Sequence, residues 1–83
     1  MSEPKWLKKA KETLAYHRSQ RLIHNKKWTM TDSARVLRRS LGSICEDLLI
    51  AKWSKTHDLE QFEYAFEALN FIRMKKKEME LDD

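Results

Sequence analysis

The chain of 83 residues has only one glycine, Gly42, and one proline, Pro4. A sheet-rich fold of this length needs tight turns at short intervals, and tight turns need such residues. Leu, Ala, Lys, Glu and Arg dominate instead, and these are helix formers. Hydrophobic residues make up 41% and charged residues 36%. That supports one small helical core with a strongly solvated exterior, within one domain. The expected architecture is all-α: a single small four-helix domain over residues 1–83, with a central helix-turn-helix at about 30–53.

The apolar spacing defines four segments. The first runs from about Lys5 to Leu22, with Ser2 as its N-cap candidate and Pro4 at a tolerated first-turn position. Trp6, Leu7, Ala10 and Leu14 form its stripe, and Arg18 and Leu22 extend it. Asn25, Lys26 and Lys27 mark a loop. The second helix begins near Met30, where Thr29 and Asp32 resemble a capping box. Met30, Ala34 and Leu37 share a face, and the helix stops near Arg39. Ser40 reads as the N-cap of the third helix, in which Leu41, Ile44, Leu48 and Ala51 recur at helical spacing. Asp58 caps the fourth, with Gln61 three residues on. Leu59, Phe62, Ala65, Phe66, Leu69 and Ile72 read as one continuous stripe. Phe66 and Leu69 are the expected contacts with the third helix. From Lys75 the pattern dissolves, so a frayed tail is expected at about 76–83.

The charge is distributed unevenly. Residues 1–27 carry eight Lys/Arg against two acids, 28–57 five against three, and 58–83 four against eight. The basic side therefore belongs to the first two thirds of a chain with net charge +4. Such asymmetry suits an approach to a polyanion, although a lysine-rich solvated helix has the same composition. Lys5, Lys8, Lys9 and Lys11 fit either description. Lys75 to Lys77, followed by acids, could engage a partner.

The stretch from Thr31 to Ala51 carries the functional signal. Two crossed helices need a small residue where they touch, and Ala34 supplies it; Leu37 and Ile44 lock the crossing. Gly42 lies at the joint. Leu41 or Gly42, Ser43, Cys45, Glu46 and Leu49 then face outward. The spacing Ala34-x-x-Leu37-x-x-Ser40-x-Gly42-Ser43-Ile44-x-x-Asp47-Leu48 resembles the helix-turn-helix of ParB-like partition proteins and related phage or plasmid DNA-binding proteins. Trp28-Thr29 matches the preamble to the first helix of that motif. Glu46-Asp47-Leu48-Leu49-Ile50-Ala51 matches the end of the second. The resemblance covers roughly residues 28–53. It departs at the turn, where Arg38-Arg39 replace a glycine and an apolar residue.

The resemblance implies a small DNA-binding protein, a phage or plasmid accessory factor in transcription, replication or partition, acting on double-stranded DNA in the cytoplasm. Arg35, Arg38 and Arg39 are the first candidates for DNA contact, with Lys26 and Lys27 beside them. Ser40 and Ser43 are caps that could also reach a phosphate or base edge. Glu46 could accept from cytosine N4, but it would repel phosphates, and the outer face is otherwise poor in base-reading side chains. That poverty, with the apolar Leu41, Cys45 and Leu49, motivates an alternative from another class. The same scaffold would serve as a protein-interaction module, for example a phage-encoded inhibitor of a host complex. A homodimer fits both, since the Phe-rich fourth helix offers a surface.

An enzyme is not expected. There is no paired-carboxylate set with a supporting histidine, no phosphate-binding glycine loop and no nucleophile with a spaced base. No cofactor is expected. His17, His24 and His57 lack metal-ligand spacing. The single Cys45 permits neither an internal disulfide nor a cysteine zinc site. Trp6, Trp28 and Trp53 read as core anchors, whereas an exposed one would mark an interface. No apolar run approaches the ~18 residues of a membrane span. The basic N-terminus lacks the apolar stretch of a secretory signal.

Overall fold

A computed structural model describes residues 3–81. It is all-helical, with no strand among these residues. Helix α1 spans Lys5–Ile23, α2 Met30–Leu37, α3 Leu41–Trp53 and α4 Ala65–Leu81, and a 3₁₀ turn, Leu59–Gln61, precedes α4. Helix α3 is central: α1, α2 and α4 all pack on it.

Pro4 opens α1, its carbonyl accepting from the amides of Leu7 and Lys8 at 3.1 and 3.0 Å. The expected cap Ser2 lies outside the described residues. The buried face of α1 is Leu7, Ala10, Thr13, Leu14 and His17. Leu22, placed on this stripe by its spacing, is 83% exposed. The buried line veers to the polar residues Thr13 and His17 because each meets a polar partner on another helix. The helix ends in a turn in which Asn25 and Lys26 adopt left-handed backbone, φ 56° and 68°.

The capping box at α2 is complete. The Thr29 hydroxyl accepts from the Asp32 amide at 3.2 Å, and the Asp32 carboxylate accepts from the Thr29 amide at 2.9 Å. The same contacts hold Asp32 below the usual carboxylate range, the Thr29 amide contributing most.

The core joins Leu7, Ala10 and Leu14 of α1 to Ile44, Leu48, Ile50 and Ala51 of α3, with Leu59, Ala68, Leu69 and Ile72 from the C-terminal part. Trp6 and Trp53 pack against its edge.

Two features of the C-terminal third differ from the sequence reading. The stripe that begins at Leu59 is not one helix. Asp58 caps only the 3₁₀ turn, its carboxylate accepting from the Glu60 amide at 3.2 Å. Phe62 is then extended, with φ −91° and ψ 137°. The indole of Trp6 donates to the Glu63 carbonyl at 2.9 Å, so α1 holds the interruption in place. The chain re-enters helix after Tyr64, whose amide donates to Glu67 at 3.0 Å. This break shifts the helical phase. Leu69 stays buried, but Phe66 is 62% exposed and stacks on Tyr64 instead of meeting α3. The second difference is the expected tail: α4 continues as regular helix through Lys75–Lys77 to Leu81.

Candidate nucleic-acid interface

The corner between α2 and α3 keeps the expected small and apolar residues inside. Ala34 and Ile44 are both buried, and Leu37 packs against the core. Arg38 closes α2 in the left-handed conformation, φ 56° and ψ 47°. The next amide, of Arg39, donates back to the Ala34 carbonyl at 3.0 Å, a Schellman-type closure. Ser40 caps α3, its hydroxyl accepting from the Ser43 amide at 3.1 Å. Gly42 does not form the joint: it sits inside the first turn of α3, where an added Cβ would meet nothing within 4 Å.

The two turn arginines have opposite fates. Arg38 is exposed and has no ion-pair partner among the described residues. Arg39 is turned inward, which corrects its placement on the outer ridge. Its guanidinium lies 2.7 Å from the Asp47 carboxylate, with the two side chains 18% and 14% exposed. It also donates to Thr13 of α1 at 3.0 Å and to the Ser43 hydroxyl. Thr13 lies 3.0 Å from Asp47 in turn. Two predicted DNA contacts, Arg39 and Ser43, are thus members of an internal network tying the corner to α1.

Of the remaining candidates, Arg35 is exposed but lies 3.3 Å from Asp32 on its own helix. The Ser40 hydroxyl is committed to its cap, and Glu46 is exposed. Lys26 and Lys27 are exposed in the α1–α2 loop, where Lys26 adjoins Arg18, Arg21 and Leu22. Along the outer side of α3, Leu41 is 46% exposed. Leu49, expected outward, leans on the core, and the half-buried Cys45 lies 3.6 Å from the Met30 sulfur.

Behind the corner a second polar cluster fixes the entry to α2. Ser33 is fully buried, accepting from the Trp28 indole at 2.7 Å and facing His17 Nδ1 at 2.8 Å. An indole N–H can only donate, so Ser33 is the acceptor from Trp28, while the direction of its bond to His17 Nδ1 is set by the imidazole tautomer. Burial, followed by the positive charges of Arg21 and Lys52, holds the His17 pKa below its ordinary value. The other two histidines lie against aromatic rings, His24 stacked on Trp28 and His57 tilted against Trp53.

The sequence reading missed a further basic surface. A groove runs between α1 and the C-terminal half of α3. One stretch of it is lined by Lys11, Arg18 and Lys55 around Leu14, Ala15 and Ala51. The adjoining stretch is lined by Arg18, Arg21 and Lys52 around Leu14, His17 and Met30. The usable signal was the pairing of cations three residues apart, Arg18 with Arg21 and Lys52 with Lys55. The apolar spacing alone places Arg18 on the stripe of α1.

No family model, no curated protein and no solved structure matches this chain.

Proposed function

We propose that the chain is a small helix-turn-helix protein that binds double-stranded DNA. The observation that carries this reading is the α2–α3 corner. Two capped helices meet with Ala34 and Ile44 both buried, Arg38 at the turn without an ion-pair partner among the described residues, and the exposed Arg35 on the same helix. In this reading the start of α3 enters the major groove, and Arg35, Arg38 and Lys27 meet flanking phosphates. Leu41, Gly42 and Glu46 offer few groups for reading bases, so phosphate contacts dominate affinity and sequence preference is shallow. A role as a phage or plasmid accessory factor in transcription, replication or partition, in the cytoplasm, goes with the resemblance to ParB-like proteins. A homodimer would join two such corners, and the exposed Tyr64–Phe66 stack is a surface for it. No helix among the described residues is long and apolar enough to cross a membrane.

A mobility-shift titration on duplex DNA tests the reading. Binding at low salt should weaken steeply as salt rises. Arg35→Glu with Arg38→Glu should abolish it. Absence of any shift at low salt rejects DNA binding.

The exposure of Val36 and Leu41 beside the corner favours a second reading, in which the same face docks a protein. A stoichiometric partner that survives nuclease treatment and is lost in Leu41→Asp would support that alternative.

A further inference from the structure

We propose that the groove between α1 and the C-terminal half of α3 is a phosphate-backbone track, so that a bound duplex is held along Arg18, Arg21, Lys52 and Lys55 as well as at the α2–α3 corner. The inference rests on the DNA-binding reading and adds to it a surface that the helix-turn-helix pattern does not contain.

Three observations carry it. First, the four cations come from both walls, Arg18 and Arg21 from α1, Lys52 and Lys55 from the end of α3 and the turn after it. None has an ion-pair partner among the described residues. Second, no Asp or Glu among the described residues lines either stretch of the groove, and Glu3, which pairs with Lys11 of the first stretch at 2.7 Å, is neutralised there. Asp47, the acid of α3 nearest its middle, is neutralised by Arg39, and Glu12 lines a different depression, with Lys9 and Tyr16. Third, the floor is low and apolar, made of Leu14, Ala15 and Ala51, so a chain of phosphates can approach closely. Like charges gathered on an apolar floor repel one another and attract a counterion atmosphere. A polyanion relieves that repulsion and releases the ions. The His17 imidazole reports the same field, since Arg21 and Lys52 both disfavour its protonation.

The test compares four proteins on one labelled duplex over a salt series: wild type, a groove variant, an α4 variant and the corner variant Arg35→Glu/Arg38→Glu. Arg18→Glu/Lys52→Glu alters the groove. Lys76→Glu/Lys77→Glu makes the same change of net charge on the exposed far part of α4. All four positions are solvent-exposed, and circular dichroism is used to check that each variant is folded. The groove variant should bind at least about tenfold more weakly than wild type at low salt. Its log–log salt slope should be shallower by about two phosphate contacts, at roughly 0.9 per contact. The α4 variant should stay close to wild type. Equal losses in both variants would make the effect one of net charge alone and overturn the proposal. An unchanged groove variant beside a binding wild type overturns the groove and leaves the corner reading standing. Loss in the groove variant with full binding by Arg35→Glu/Arg38→Glu supports the groove and overturns the corner. A wild type that never shifts overturns both.

Discussion

Arg39 and Asp47 meet at 2.7 Å across the start of α3, and Thr13 of α1 lies within hydrogen-bonding distance of both. One ion pair thereby joins three elements: the turn that ends α2, the body of α3 and the middle of α1. It also removes from the outer face an arginine that a linear reading places there, and it neutralises the acid in the middle of α3.

Removing one member of this pair leaves the other charged and largely out of water. Arg39→Ala or Asp47→Ala should each destabilise the fold by about 2–4 kcal/mol, somewhat under the fully buried case because both groups keep some solvent. Replacing both together, Arg39→Met with Asp47→Leu, should cost less than either single change. Urea denaturation followed by tryptophan fluorescence measures all three. A double variant as unstable as the two single losses added together would mean that the pair does not act as a unit.

Ser33 serves two partners at once, and its replacement should show it. Ser33→Ala leaves the Trp28 indole and His17 Nδ1 without their contact. The expected loss is about 2–4 kcal/mol, the lower part of the sum of roughly 1–3 kcal/mol for each group left unpaired, because the half-buried Trp28 keeps some solvent. Ser33→Thr retains the hydroxyl but adds a methyl at a site with no exposed area, so it should be destabilising by overpacking. Thermal melts of the two variants, compared with the exposed-site control Ser19→Ala, would check this.

Acidification should weaken the fold through His17. Its folded pKa lies below the ordinary 6.5, so the unfolded chain takes up the proton more readily than the folded one. The contribution is complete above 6.5 and is lost progressively as pH falls, until the folded imidazole itself protonates. His17→Asn keeps a hydrogen-bonding side chain without a titrating group. Denaturation midpoints measured from pH 7.5 down to about 5 should fall for wild type and fall less for the variant. Parallel lines for the two proteins would assign the slope to other groups.

Two backbone positions are open to improvement. Arg38 holds a left-handed conformation that suits glycine, so Arg38→Gly should stabilise by about 1 kcal/mol while removing a proposed phosphate contact. Gly42 is an unobstructed helical position, and Gly42→Ala should add up to about 1 kcal/mol. A pair of variants more stable than wild type, of which Arg38→Gly alone binds DNA less well, would separate stability from recognition. Denaturant midpoints and mobility shifts supply the two readings.

The α2–α3 corner was legible because its signals are local: the Thr29–Asp32 box, the Ser40 cap, and Ala34 and Ile44 at contact positions. The break before α4 was not, because its cause is distant. Trp6 binds the Glu63 carbonyl from the other end of the chain, and the one local sign, Glu67 reaching back to the Tyr64 amide, lacks a usual capping residue at the N-cap. Nothing in Arg38-Arg39 distinguishes the outward arginine from the inward one. The distinction arises from Asp47 and Thr13, which the packing of α1 on α3 brings to the turn. The basic groove was hidden for the same reason, since its two walls are remote in sequence.

Helix α3 is the common support of α1, α2 and α4, so the domain has a single spine. Loosening that spine exposes the buried sides of all its neighbours together, which makes piecemeal opening of the helices unfavourable. A ligand gripping only the flank of α3 would consequently slow amide exchange in α4, a helix it never touches.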